Sequence, residues 1–353
     1  MTCRSKRKGI GNMGKKNITF DDIAKYTNFS KTTISRYFNN PDSLTLENQQ
    51  IISDALEALN YKENKVAKIL ANGKTEFVGI IIPDLYMHYY AQMLSEILGT
   101  YEKFGYKFLV FEGNRDEGVE RQYIQELLAY KIEGLIVLSH TIPSKDLASY
   151  NIPLVTIERE DQYTCSVNTD NYMGAVQATS LLCRNNCDVL FHLNQQVSKT
   201  TPGYQRIQGF LDICQEQNRT HKLILTSFGR TYEENEKRIG EIFQEMEENY
   251  KGKKKGVFVS NDTHANIFLN LLIRKYGSLL EEYRIVGFDD SPIATSAILP
   301  ISTVGQQIGK IAYQAMELLV MQMNERKKRK PIPLKEPIHQ VVTPVLKRRS
   351  TTD

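Results

Sequence analysis

The sequence contains no apolar run long enough to cross a lipid bilayer. A membrane-spanning helix needs about 20 consecutive apolar residues, and a typical apolar run here, FVGIIIP at 77–83, is far shorter. The basic N-terminus, MTCRSKRKGIGNMGKKN, lacks the apolar segment of a secretory signal. With 41% hydrophobic and 24% charged residues among 353, the composition is typical of a globular protein of two or three domains. These features predict a cytoplasmic location.

Motifs of catalysis and metal binding are also missing. The five cysteines form no zinc-like pairs, and although Cys183 and Cys187 could share a helix face, two thiolates alone make a poor metal site. The six histidines show no metal-ligand spacing, and no G-x-S-x-G, Walker or H-E-x-x-H motif occurs. A carboxylate pair across a cleft could in principle form a glycosidase dyad, but nothing in the sequence marks an acid with a raised pKa. We predict no catalytic residues, no metal, no cofactor and no enzyme activity.

Positive charge is concentrated near the N-terminus. Residues 1–72 hold 12 Lys/Arg and 7 Asp/Glu, a net of +5, whereas the remainder has a net of −1. A basic head on a nearly neutral body is typical of a nucleic-acid-binding segment joined to another domain. Within this head, GIGNMG at 9–14 matches a dinucleotide-binding motif only formally, because it follows a basic run rather than a strand. Residues 1–16 are predicted to be a disordered arm, unless translation begins at Met13.

The segment ITFDDIAKYTNFSKTTISRYFNN, at 18–40, predicts two short helices joined by a tight turn. Thr19 and Asp22 have the spacing of a capping box, and Ser30 is a good N-cap for the second helix. A helix-turn-helix unit places its second helix in the major groove of DNA. The alternative is an ordinary helical hairpin with a solvated polar face. The side chains predicted to serve DNA binding here are Thr19, Ser30, Lys31, Thr32, Thr33, Ser35, Arg36 and Asn39.

A third helix is predicted from Thr45, and it is followed by ALNY at 58–61 and NKVAKILA at 64–71. Together with the helix-turn-helix segment, these motifs resemble the headpiece and hinge of the lactose-repressor/galactose-repressor family of bacterial transcription regulators. The resemblance implies that the hinge becomes a helix in the minor groove of a palindromic operator. It implies that Leu70 is an apolar wedge between base steps and that Ala67 is a small neighbour that lets two hinges approach. Asn64, Ala67 and Leu70 are therefore predicted to bind DNA. The alternative for Leu70 is a plain linker residue.

From Phe77 onward, short apolar strands alternate with helices of 10 to 15 residues, which predicts parallel sheets with helices on both faces. The resemblance implies an α/β core of the periplasmic-binding-protein type, with two doubly wound subdomains and three chain crossings between them. The expected division is a headpiece at 17–63, a hinge and linker at 64–74, a core at 75–347 and a tail at 348–353. The N-subdomain is expected at about 75–163 and 292–323, and the C-subdomain at about 164–291 and 324–347.

Polar side chains follow several of the predicted strands. In open α/β sheets, ligands bind beyond the carboxyl ends of the strands, and the resemblance places sugar-contacting positions there. Carboxylates and amides can bond to adjacent hydroxyls, arginine donates in a fork, and tyrosine offers a flat apolar face. The predicted effector-binding residues are His88, Tyr89, Tyr90, Glu158, Arg206, Asn261, Asp289 and Gln306. Asp262 and Asp290 are expected instead to cap loops or support a hinge.

The resemblance implies a homodimeric repressor of a carbohydrate-utilisation operon that binds palindromic operator DNA and a small sugar-like effector. A sugar phosphate remains an alternative because Arg206 could meet a phosphate. Met87 and Glu158 depart from the asparagine and aspartate of the family pattern, which leaves the ligand open. Control by a protein partner is a further alternative. No leucine heptad follows Lys347, so no C-terminal coil is expected, and the basic run at 326–330 is predicted to be a solvated loop.

Overall fold

The computed structural model describes residues 18–62, 74–197, 201–278 and 281–353. The chain divides into two compact units between Lys74 and Thr75. The predicted hinge residues Asn64, Ala67 and Leu70, and the predicted arm at 1–16, lie outside the described residues. None of the helices within these described ranges is long and apolar enough to span a membrane.

The first unit is helical, and its three helices share one small apolar core. They span Phe20–Thr27, Lys31–Asn39 and Leu46–Ala58, with a 3₁₀ turn at Pro41–Ser43. Each helix contributes one fully buried isoleucine, namely Ile23, Ile34 and Ile52. Phe20 stacks on Phe38 with ring centroids 5.0 Å apart. This packing fixes the angle between the first two helices.

The predicted caps of these helices are present. The carboxylate of Asp22 accepts a hydrogen bond from the Thr19 amide at 2.9 Å and from the Thr19 hydroxyl at 2.7 Å. The Ser30 hydroxyl accepts from the Thr33 amide at 3.1 Å. Because the first amides of a helix have no partner within it, these side chains determine where both helices begin.

The second unit contains two six-stranded sheets. The strands are β1 (Phe77–Ile82), β2 (Lys107–Glu112), β3 (Gly134–Val137), β4 (Leu154–Ile157), β5 (Cys165–Thr169), β6 (Val189–Gln195), β7 (His221–Thr226), β8 (Lys255–Val259), β9 (Tyr283–Asp289), β10 (Ser302–Gly305), β11 (His339–Val342) and β12 (Val345–Lys347). The first sheet has the order β11-β5-β4-β3-β1-β2, and the second has the order β12-β10-β9-β8-β6-β7. Among the described strands, all pairs are parallel except β10 with β12. The predicted fold class is confirmed.

Helices cover both sheets, which are therefore buried on both faces. They span His88–Gly99, Tyr101–Phe104, Glu117–Ala129, Ser144–Ser149, Asn171–Arg184, Pro202–Glu216, Tyr232–Asn249, Asp262–Tyr276, Pro292–Ser296 and Ile308–Arg326. The first two of these helices are separated at Thr100, whose amide bonds back to the Ile97 carbonyl. The helices of five and six residues at 292–296 and 144–149 are too short to show a helical period in the sequence.

The chain crosses between the two sheets three times within the described residues, but at other positions than expected. β5 and β11 belong to the first sheet, although the expected boundaries put both in the C-subdomain. β10 belongs to the second sheet, although it was expected in the N-subdomain. The crossings therefore follow β5, β10 and β11. A strand of four or five residues does not encode its partner, since membership in a sheet depends on hydrogen bonds to distant segments.

The segment at 339–347 forms two strands, one in each sheet. Pro344 lies between them, and a proline has no amide to donate to a sheet. The last residues, expected to be a tail, are part of the second sheet's subdomain. Thr351 is fully buried, its hydroxyl donates to the Ile285 carbonyl at 2.7 Å, and it accepts from the Ser302 amide at 2.8 Å. Thr351 thus forms hydrogen bonds with both β9 and β10.

Candidate functional site

A cavity of about 410 Å³ opens at the carboxyl ends of strands from both sheets. Seven of the eight predicted effector-binding residues line it, namely Tyr89, Tyr90, Glu158, Arg206, Asn261, Asp289 and Gln306. The eighth, His88, is not among the lining residues, and its ring Nδ1 lies 3.1 Å from the Thr263 hydroxyl. The two subdomains thus contribute jointly to one polar cleft, and the ligand-binding role of these residues stays a prediction.

Arg206 lines this cleft and is only 9% exposed. Its Cζ lies 3.6 Å from the centroid of the Phe288 ring. Its Nε donates to the Asn171 side chain at 2.8 Å, and its Nη1 donates to the Ser260 carbonyl at 2.5 Å. The guanidinium is therefore held in place by groups of the protein before any ligand arrives.

Glu158 follows β4 and lines the same cleft. Its carboxylate accepts from the Thr169 amide at 2.6 Å and from the Asn171 side-chain amide at 2.8 Å. Asn171 therefore bridges Glu158 and Arg206. Burial raises the pKa of Glu158 above its ordinary value, and the nearby guanidinium of Arg206 opposes this rise.

Asp289 ends β9, and Gln306 follows β10. The Gln306 side-chain amide donates to Asp289 at 2.6 Å, and its oxygen accepts from the Thr169 hydroxyl at 2.7 Å. Burial raises the pKa of Asp289 to about 7, with Arg206 opposing the rise and Glu158 adding to it. Asp289 also has a φ of 112°, a strained value for a non-glycine residue. The fold holds this carboxyl in an unfavourable backbone conformation, which aims it at the cleft.

Two buried polar atoms of lining residues have no hydrogen-bond partner among the described residues. They are the Tyr89 hydroxyl and His264 Nε2. The Asn261 oxygen accepts from the His264 amide at 2.8 Å, so the Asn261 nitrogen faces His264 Nδ1 at 2.9 Å and donates to it. The proton of the neutral ring is therefore on Nε2. Burial lowers the pKa of His264 to about 3, which keeps the ring neutral. Both unpartnered groups can bond to a ligand.

The predicted set misses other lining residues, among them Arg115, Asn194, Phe228 and His264. Asn194 is the next-to-last residue of β6, so the rule of polar residues at strand ends also applies to it. Arg115 lies in a loop and is paired with Asp84 at 2.7 Å. Phe228 contacts the His264 ring, with centroids 3.9 Å apart. Loop residues of this kind carry no periodic signal.

Asp262 and Asp290 have the supporting roles predicted for them. Asp262 is fully buried and accepts from the Ser291 amide at 2.8 Å and the Thr303 hydroxyl at 2.6 Å. Asp290 pairs with Arg349 at 2.5 Å. Both carboxylates connect segments of the second sheet's subdomain.

The predicted DNA-facing side of the headpiece is polar and open. On the second helix Lys31, Thr32, Arg36 and Asn39 are exposed, while Thr33 and Ser35 are partly exposed. Lys31 lies 2.6 Å from Asp21. Asn39 donates to the Ser35 carbonyl at 3.0 Å. The Arg36 guanidinium has no partner within the described residues, so it is free to donate to a base edge.

Comparison with known proteins decides the family. Residues 75–246 match the model of periplasmic binding proteins and the sugar binding domain of the LacI family. Residues 182–352 match the model of the periplasmic binding protein-like domain. The chain belongs to the LacI family. The resemblance inferred from the sequence motifs is thereby confirmed.

Similar proteins cover nearly the whole of this LacI-family chain. The ribose operon repressor of Halalkalibacterium halodurans is 24% identical over 309 residues, which is 87% of this chain and 91% of the repressor. The sucrose operon repressor of Lactococcus lactis subsp. lactis is 25% identical over 309 residues, 87% of this chain and 94% of the repressor. The structure of the lac repressor dimer bound to operator and the anti-inducer ONPF matches with a TM-score of 0.79 at 19% identity, covering 96% of this chain and 99% of that chain.

Met87 and Glu158, the two positions predicted to depart from the family pattern, both line the cleft. Both oxygens of Glu158 already accept hydrogen bonds within the protein. The effect of these two residues on the choice of ligand stays a prediction.

Proposed function

We propose that the protein is a sequence-specific, DNA-binding transcriptional repressor of a carbohydrate-utilisation operon. Its operator affinity is controlled by a small neutral sugar bound in the cleft, and it acts as a cytoplasmic homodimer on palindromic DNA without enzymatic activity. One observation carries the proposal: a helix-turn-helix headpiece and a two-subdomain cleft with unpartnered buried hydrogen-bonding groups occur in one chain. The sugar operon repressors among its relatives support the same function.

The charges in the cleft favour a neutral sugar over a sugar phosphate. Within the described residues, two carboxyl groups, Glu158 and Asp289, line the cavity beside Arg206 and Arg115. Arg115 is already paired with Asp84, and two of the three guanidinium nitrogens of Arg206 donate to the protein. A dianionic phosphate would meet repulsion from the carboxyl groups with little free positive charge to offset it. The neutral hydroxyl groups of a sugar can donate hydrogen bonds to the carboxyl and amide oxygens without this repulsion.

Ligand binding at this site can change the conformation of the core because both subdomains line the cavity. A sugar that contacts both sides binds more tightly to the closed arrangement, and it shifts the equilibrium by that difference in affinity. The three chain crossings after β5, β10 and β11 are the connections across which closure would occur. We infer that closure is transmitted to the headpiece through the linker that precedes Thr75.

Isothermal titration calorimetry of the full-length protein tests the effector class. The panel contains neutral monosaccharides and disaccharides together with their phosphate esters. We expect at least one neutral sugar to bind and its phosphate ester to bind more weakly. Tight binding of phosphate esters alone would overturn the neutral-sugar assignment. If none of the compounds bound, control by a protein partner would be favoured.

Selection from a pool of random duplexes tests the DNA-binding function. A dimer with two recognition helices reads two half-sites, so the selected sequences should be near-palindromic. Enrichment of no sequence over random DNA, with or without the sugars that bind, would refute the function as a repressor.

A further inference from the structure

The core carries one strongly basic segment that the proposed function does not use. The residues Arg326–Lys330, RKKRK, begin at the last residue of the helix Ile308–Arg326. The run was predicted to be a solvated loop, but its first residue is helical. Between Glu325 and Ile338 there are six cationic and two acidic residues, a net of +4, although residues 73–353 together have a net of −1. This basic segment therefore concentrates positive charge in a core that is otherwise slightly acidic.

The basic segment lies at the amino end of the first sheet. Lys327 Nζ is 2.5 Å from the carboxylate of Glu133, the residue before β3. Arg326 donates to the carbonyl of Asn151, which precedes β4. Since β1 runs parallel to β3, its first residue, Phe77, lies at the same end of the sheet. The first residues of the core thus lie at the same end of the first sheet as the basic segment.

The segment is anchored at its start and free in its second half. Arg326 and Lys327 hold it to the sheet, and Lys328 pairs with Glu325. Arg329 and Lys330 are exposed, and neither side chain has a hydrogen bond or ion pair within the described residues. Prolines at 331, 333 and 337 restrict the chain that follows. Two unpaired cations are therefore exposed to solvent next to residues that are held against the first sheet.

We propose that Arg329 and Lys330 form a second DNA-contacting surface, which binds backbone phosphates beside the site that the headpiece reads. Lysine and arginine contacts to phosphate position a protein on DNA without reading its sequence. They add affinity that depends strongly on salt, because each contact releases counterions from the duplex. This inference rests on the proposed function, since it requires that the headpiece bind DNA.

The test compares two doubly substituted full-length proteins. Arg329→Gln/Lys330→Gln removes the free cations of the basic segment. Lys251→Gln/Lys253→Gln is the matched control, because it removes two exposed cations next to β8. The cleft lies at the carboxyl ends of both sheets, so the amino end of β8 is at the pole of the core opposite the basic segment. Because the four side chains are exposed, we expect equal unfolding temperatures for both variants and the wild type.

Fluorescence anisotropy measures binding to a mixed-sequence duplex of about 40 base pairs, close to four helical turns. Each lost phosphate contact lowers the slope of log affinity against log salt by about 0.9. The basic-segment variant loses two cations from each protomer of the proposed homodimer, so its slope should fall by about 3.6. Between 50 and 200 mM salt, that variant should lose about 150-fold less affinity than the wild type. The control should keep the wild-type slope.

Equal slopes for both variants and the wild type would overturn this inference and leave the proposed function intact. A wild-type protein that shows no salt-dependent binding to DNA would instead refute the proposed function. If both variants lost slope equally, the effect would reflect net charge alone, and the assignment of a defined surface would be wrong.

Discussion

The hydroxyl of Tyr89 provides a sharp test of the cleft, because it is buried without a hydrogen-bond partner within the described residues. In the ligand-free protein, Tyr89→Phe breaks no hydrogen bond and removes the cost of burying an unpaired hydroxyl, which is about 1–3 kcal/mol. In the sugar complex, the same change removes a hydrogen bond worth about 0.5–1.5 kcal/mol, which corresponds to about a 2-fold to 12-fold loss of affinity. We expect weaker sugar binding together with an equal or higher unfolding temperature.

Calorimetric titration with a neutral sugar measures the affinity, and thermal unfolding of the ligand-free protein measures the stability. Tyr283→Phe is the matched control, because it removes a tyrosine hydroxyl that has a partner and lies outside the cavity lining. Tyr283 is fully buried, and its hydroxyl donates to Glu247. This control should lower the unfolding temperature and leave the sugar affinity unchanged. If Tyr89→Phe instead lowered the unfolding temperature and left the affinity unchanged, Tyr89 would have a structural role, and our assignment of the cleft would fail.

Three further predictions concern the headpiece, the cleft carboxyl and the C-terminus. Arg36→Ala should reduce the preference for a selected DNA site over random duplex by about 1–3 kcal/mol, the value of a bidentate contact to guanine. Lys25→Ala should leave that preference unchanged in the same anisotropy assay. Because burial raises the pKa of Asp289 to about 7, the folded state keeps a proton that the unfolded state loses, so stability should fall as pH rises from roughly 4 to 7. In urea unfolding, Asp289→Asn should weaken this dependence, and an undiminished dependence would contradict the assignment. Thr351→Ala removes a hydroxyl that both donates and accepts, so it should cost about 1–3 kcal/mol of unfolding free energy, whereas the exposed Ser350→Ala should cost little.

The cleft also holds two carboxyl groups that are costly to bury. Glu158 and Asp289 are both buried, and burying an ionised carboxylate is costly unless hydrogen bonds and opposite charge compensate for it. Burial therefore raises the pKa of both groups. Arg206 opposes this rise, and Asn171 and Gln306 donate to the carboxyl oxygens. The cleft thus keeps polar groups at an energetic cost that a purely structural cavity would not carry.

The sequence alone determined the features that depend on short-range physics. The caps at Thr19 and Ser30 join groups three residues apart, so their spacing is visible in the chain itself. The α/β alternation depends on the burial of each strand and helix, which its apolar pattern records. Four of the seven predicted residues that share one cavity, Glu158, Asn261, Asp289 and Gln306, follow or end strands, because the carboxyl ends of parallel strands meet at one edge. The other three, Tyr89, Tyr90 and Arg206, were predicted from the family resemblance.

Only the tertiary structure decided which segments meet. β5, β10 and β11 join sheets other than those expected, because a short buried strand is equally apolar in either sheet and its partner is chosen by distant hydrogen bonds. His88 contacts Thr263 outside the cavity lining, whereas His264 lines the cavity. Nothing in the sequence around either histidine predicts which of the two lines the cavity. The last residues became part of the second sheet's subdomain for the same reason: the buried contacts of Thr351 are with residues about 50 and 66 positions away along the chain.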